Sequence, residues 1–308
     1  MFARFMSLRK VQIGLVIMGV FLFAAAVGQP FSEHVLGWTP YTFDGNAMGQ
    51  APSASHWMGT TSSGQDALSW LLYGARSSML VGLISAVIGT ALSVVIGTIA
   101  GFSGGAVDRF LNGVILVVQN IPSFAILFMI AGLLQNANVL LVSIIIGGLE
   151  WTGGARAIRA QAMSLRGRDF TAALRTIGEH PLRVILVEVL PHLSGIISPM
   201  FLRLIAAGVG MQASLAFLGI GSAAEPSWGL MINYATTQNA LFNGQWWWFG
   251  PPGICLALIG FATTMINFGL DEVTNPTLSS KRMTLMRKFL KQKKRQDAAG
   301  QPKIGAMA

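Results

Sequence analysis

Six long apolar runs punctuate the chain, and they restrict its fold more than any other feature. Residues 11–28 are almost wholly apolar, and further runs cover 78–101, about 110–134, about 139–157, about 193–220 and about 250–270. A run of about 20 apolar residues crosses a bilayer as one helix, because a helix satisfies its own backbone polar groups where no water can. Composition agrees. Hydrophobic residues make up 53% and charged residues 11%, against about 25% charged in a soluble domain. The expected fold is therefore an all-α polytopic membrane protein with six transmembrane helices. AAAVGQ near residue 29 loosely resembles a signal-peptide cleavage site. A signal core runs about 7–15 residues, however, and residues 11–28 read better as a retained span.

The net charge of +9 raises nucleic acid as a partner. The basic residues sit at the ends of apolar runs, without interleaved aromatics, so topology explains them better. Alternating six spans puts residues 1–10, 102–109, 158–191 and the tail from 279 on one side, with 3, 1, 5 and 9 Lys or Arg respectively. The loops on the other side hold only Arg76. The positive-inside rule makes the basic side cytoplasmic, with both termini there.

Three segments follow from this layout. Residues 1–76 carry the first span and an extracytoplasmic loop. In that loop, 64–76 read as a short interfacial helix held by Trp70 and Tyr73. Residues 77–278 form the main transmembrane domain, in which Trp246, Trp247 and Trp248 suit the headgroup interface. Residues 279–308 form a basic cytoplasmic tail suited to anionic lipid.

Within the spans, Ser85, Gly89, Ser93, Gly97 and Gly101 recur every fourth position, a spacing that lets two helices approach closely. Gln119, Asn120 and Pro122 interrupt the third run. The proline predicts a kink, and the amides serve either as glue between helices or as pathway lining. Glu150 and Arg203 fall at membrane depth, where ionisable groups are costly. They read as a mutual or inter-subunit ion pair, or as substrate contacts. Gln212 is a further intramembrane polar candidate.

Between the fourth and fifth runs, 162–191 is the longest charged stretch flanked by apolar runs. It is large for a turn and suits docking of a cytoplasmic partner. The chain has no Gly-Lys pair and hence no P-loop for nucleotide. His34, His56, His180 and His192 show no metal-ligand spacing. No HExxH or CxxC occurs, and the lone Cys255 allows no internal disulfide. An enzyme is unsupported, and no bound cofactor or metal is expected.

The stretch HWMGTTSSGQDALSWLLYGARSSMLVG resembles HPLGTDxxGRDxLSRLxYGARxSLxVG. That pattern belongs to permease subunits of bacterial ATP-binding-cassette importers, in the oligopeptide, dipeptide and nickel branch. GFSGGAVDRF, MQASLAFLGIGSAAEPSWG and DEVTNP are similar to further motifs of the branch's shorter-looped permease type. The loop at 162–191 is similar to the family's EAA---G---------I-LP signature. Ala172-Ala173-Leu174, Gly178 and Glu188-Val189-Leu190-Pro191 fall at the right spacing, with Ala172, Leu174 and Glu188 departing from it.

The resemblance implies a complex. A second homologous permease would complete the pore, two cytoplasmic ATPases would use ATP and magnesium, and an extracytoplasmic binding protein would deliver substrate. The 162–191 loop would hold the helix that couples to an ATPase. Arg166, Arg168, Asp169 and Arg175 would make its polar contacts. Ala173 and Gly178 would permit close approach, and Leu190 and Pro191 would set re-entry into lipid. Peptide is the expected cargo, with nickel or another small solute as the alternative. A membrane scaffold and a self-sufficient carrier are the competing functional classes.

Overall fold

A computed structural model describes residues 5–133, 138–220, 225–274 and 289. The regular elements among them are helical, apart from one bridge between Thr60 and Asp66. Helix α1 is Arg9–Phe31, widening into a π-turn at Ser32–Leu36. Helix α2 is Ala67–Ser103 and α3 is Gly105–Gln119. Helices α4 and α5 are Ser123–Leu133 and Val139–Arg166. A short α6, Asp169–Thr176, leads to α7, Pro181–Phe217, whose base holds a π-segment at Val184–Val189. Helices α8 and α9 are Trp228–Thr237 and Gly250–Thr274.

Five helices (α1, α2, α5, α7 and α9) are long and apolar enough to cross a membrane. The α3–α4 pair, bent by 71°, makes a sixth if it is one broken span. The expected kink is thus a full break. Asn120 turns back on its own helix, its Nδ2 donating to the Leu116 carbonyl at 2.7 Å. Pro122 then brings no N–H to continue the ladder.

Helix α2 is the central element, packed on α5 along its length and on α7 and α1. The small-residue stripe makes this possible. Ser85, Gly89, Ser93, Gly97 and Gly101 are all buried. A Cβ on Gly97 would lie 2.6 Å from the Ala155 carbonyl, and one on Gly101 would overlap the Arg159 carbonyl. Ser93 Oγ donates to the Trp151 carbonyl of α5 at 2.6 Å. Helices α1 and α9 meet in the same way, with Gly14 against the Ala262 carbonyl.

Two expectations fail at one end of the bundle. Residues 64–76 are not a separate interfacial helix. Asp66 caps α2, accepting from Ser69 N at 2.8 Å, and the helix runs unbroken through the division drawn between 76 and 77. Trp70 and Tyr73 are buried rather than anchored at an interface. Likewise Trp247 and Trp248 are 9% and 1% exposed, and only Trp246 is open, at 60%. These rings belong to the core of a cap formed by residues 37–66 and 225–249. Trp247 Nε1 donates to the Thr60 carbonyl at 2.9 Å, and Trp70, Met231 and Ala240 pack beside it. Within the cap, buried His56 reaches Asp66 at 3.0 Å through Nδ1 and stacks on Trp38 at 4.6 Å.

At the opposite end the helices outlast their apolar runs. Helix α5 continues to Arg166 and α7 begins at Pro181. The charged stretch 162–191 therefore shrinks to a connection of residues 167–180. Of the short return at 135–138, only Asn138 is described, and it caps α5 at Leu141 N. The tail from 279 lies outside the described residues apart from Phe289.

Candidate functional site

The connection between α5 and α7 is built with little slack. Gly167 ends α5, and α6 begins two residues later. Thr171 is fully buried, and its Oγ1 donates to the Leu165 carbonyl at 2.8 Å, tying α6 to the end of α5. Leu174 packs on the cluster of Phe102, Leu165, Val184 and Val189. Phe170 stacks on His192 of α7, with ring centroids 5.7 Å apart. One side of α6 is therefore clamped to the bundle.

Gly178 ends α6 at φ +79°, and Glu179 N reaches back to the Leu174 carbonyl at 3.0 Å. That is a Schellman-type stop, which favours glycine because a Cβ is strained at positive φ. The space around Gly178 is open, so backbone conformation explains this glycine and no packed neighbour is needed. His180 then caps α7, accepting from Leu182 N at 3.3 Å, with Pro181 in the first turn, where its missing N–H costs nothing.

The predicted docking residues separate in space. Arg168, Asp169 and Ala173 are exposed, as is Ile177 at 76%. The Arg175 side chain lies outside the described residues. Arg166 is turned inward, its guanidinium seated against Gly104 in the α2–α3 turn. Leu190 and Pro191 lie inside α7, nine and ten residues past Pro181, because the helix starts at the His180 cap.

A contact absent from the sequence reading sits just above the connection. Arg159 of α5 holds Asp108 of α3 through two hydrogen bonds, Nε–Oδ1 at 2.5 Å and Nη2–Oδ2 at 2.9 Å. The two-bond fork is the strong geometry for this ion pair. The D-R step in GFSGGAVDRF was its visible trace. The facing Arg159 is 51 residues away in sequence.

The intramembrane polar candidates fall into two groups. Gln119 accepts from Arg156 Nη1 at 3.0 Å, Asn120 caps its own helix, and buried Gln212 accepts from Ser78 Oγ at 3.2 Å. The Gln119 and Gln212 contacts hold helices together. Glu150 and Arg203 behave otherwise. They make no ion pair with each other, and neither has a hydrogen-bond partner among the described residues. The mutual pair expected from sequence is absent. Arg203 lies exposed beside Gly153 of α5, 3.7 Å from where a Cβ would be, while Glu150 is half-buried one turn away.

Residues 93–279, from the middle of α2 onward, match the family described as binding-protein-dependent transport system inner membrane component. The dipeptide transport system permease protein DppC of Bacillus subtilis is 30% identical over 262 residues, covering 84% of this chain and 79% of that protein. The oligopeptide transport system permease protein OppC of Mycobacterium tuberculosis is 31% identical over 248 residues, covering 79% and 84%. OppC of Lactococcus lactis is 29% identical over 236 residues, covering 75% and 80%. With its apolar helices and central charged connection, the chain is a multi-pass protein of the bacterial inner membrane and belongs to the family of binding-protein-dependent transport system inner membrane components.

Proposed function

We propose that the chain is a pore-forming permease of an ATP-driven peptide importer, driven from outside itself through residues 167–180. The observation that carries this reading is α6. Its inner side is fastened by Thr171, Leu174 and Phe170, while Asp169, Ala173 and, just past its end, Ile177 are exposed among the described residues. A helix so held passes a push on its free side directly to α5 and α7.

The power source is a pair of cytoplasmic ATPases carrying ATP and magnesium, since this chain has no P-loop. A second homologous permease completes the pore. The cap, on the extracytoplasmic side by the charge asymmetry, receives peptide from a binding protein. Closure of the ATPases moves α6 and tilts the helices attached to it, a rigid-body alternation of access. Peptide as cargo is supported by the relatives named for dipeptide and oligopeptide transport.

The test is co-purification from mild detergent with a tagged C-terminus, comparing wild type with Ala173→Trp/Ile177→Glu. Both positions are exposed, so the fold should tolerate the change. Wild type should bring down a second permease and P-loop ATPases, and the variant should keep the permease and lose an ATPase. Retention of every partner by the variant would show that α6 is not the docking element.

A further inference from the structure

The uncovered faces of the bundle differ sharply in chemistry. Along α1 the exposed side chains include Ile13, Val16, Val20 and Phe23, and along α9 they include Ile254, Phe261 and Phe268. Those faces match lipid. The open face of α7 instead carries Arg203, Gly210 and Ser214, which lie within one narrow stripe of the helix. Such a face belongs against water or protein, because a charged side chain is costly in hydrocarbon.

Two unlike charges stand at similar depth, Arg203 on this face and Glu150 on the neighbouring α5. Glu150 is eleven residues from the cap end of α5 and Arg203 fourteen from the cap end of α7, or roughly 17 and 21 Å at 1.5 Å per residue. Gly153, one turn from Glu150 on α5, lies beside Arg203, and its missing side chain leaves room for the guanidinium. Toward the cap from Arg203, Ala206, Gly210, Ser214 and Phe217 line a groove of about 610 Å³, closed by Phe124 of α4 and Ile259 of α9. That volume lies within the range that holds a small organic ligand, about 300–1,000 Å³.

We propose that Glu150 and Arg203 form a two-point station for the charged ends of a transported peptide. The carboxylate meets Arg203 and the ammonium meets Glu150, while the apolar groove tolerates varied side chains. The charge pattern favours this occupant. Both partners are kept apart in the resting chain, and a zwitterion neutralises both at once. A station with one carboxylate and one guanidinium adds no net charge of its own, so it holds a peptide without trapping one kind. This proposal rests on the peptide reading above.

The experiment uses the full complex, with both permeases, both ATPases and the binding protein, reconstituted in vesicles. A casein digest is supplied as probe, and internal peptides are measured by mass. Uptake by the Arg203→Gln complex should fall at least tenfold, with co-purification and binding-protein-stimulated ATPase activity kept. Arg203→Lys should stay within about threefold of wild type, since it keeps the charge. Glu150→Gln should also cut uptake while the ATPase still turns over. Unchanged uptake in Arg203→Gln would overturn the station. Loss of the second permease in that variant would overturn it too, assigning the charges to a pair between subunits. A wild-type complex that imports no peptide would instead sink the peptide reading beneath it.

Discussion

Gly89 and Gly97 sit two turns apart on one stripe of α2, yet their neighbours differ. A Cβ on Gly97 meets the Ala155 carbonyl at 2.6 Å and Ile158 Cβ at 3.0 Å, both on the rigid body of α5. On Gly89 the nearest atom is Leu204 Cδ1 at 3.2 Å, the end of a side chain that can turn away. Gly97→Ala should therefore destabilise by about 1–3 kcal/mol through overpacking. Gly89→Ala should lose less than about 1 kcal/mol, because helix propensity favours alanine there. Thermal unfolding in detergent would read the difference, and equal losses would contradict the graded contact. The stripe was visible in the sequence as spacing, but spacing could not rank its members, since the rank depends on which atom of another helix faces each one. The same limit applies to Glu150 and Arg203. Their positions suggested partnership, and only the crossing of α5 and α7 reveals that neither side chain reaches the other.

The bent α3–α4 element is attached to its surroundings unevenly. Its first half is held to α5 by the Asp108–Arg159 fork and by Gln119 on Arg156, whereas α4 begins anew after the break at Pro122. Asp108 and Arg159 side chains are 16% and 21% exposed, sheltered enough for the ion pair to matter. A double-mutant cycle with Asp108→Asn and Arg159→Gln should give a coupling energy of roughly 0.5–3 kcal/mol. In the proposed complex, the double variant should move less peptide per ATP hydrolysed by the partner ATPases, because α3 no longer follows α5. A coupling energy near zero would reduce the fork to decoration. Hydropathy located these helices well but missed their ends. It marks where a chain is apolar, while a helix stops where caps and glycines stop it. Asp66, His180 and Gly178 set those limits in sequence positions that a hydropathy window passes over.

Cap and connection lie at opposite ends of the bundle, and the charge asymmetry assigns them to opposite sides of the membrane. A Cys255→Ser background permits a direct check, because Cys255 is the sole cysteine. Trp57→Cys, at a position 58% exposed in the cap, should react with a membrane-impermeant thiol reagent added to intact cells. Ile177→Cys, at a position 76% exposed just past α6, should react only after the membrane is opened. The reverse pattern would invert the protein. The basic loops predict this orientation without a structure, since topology follows charge counted along the chain. The buried core of the cap was not readable in this way. Trp247 meets Thr60 across 187 positions, and a tryptophan bound for a protein core has the same spelling as one bound for a headgroup.

Helices α5 and α7 leave the 167–180 connection as rods of 28 and 37 residues. At 1.5 Å per residue α7 is roughly 55 Å long, so a tilt of about 10° at its base swings its far tip by nearly 10 Å. The fulcrum is not wholly stiff. The π-segment at Val184–Val189 puts a wider, looser turn where the rod leaves the connection, a kind of irregularity frequent at working sites. Under the proposed coupling, a short stroke applied to the eight residues of α6 would become a long sweep at the mouth of the bundle, with give at the root to absorb misalignment. In mechanical terms the molecule would then be geared, trading force at one face of the membrane for travel at the other.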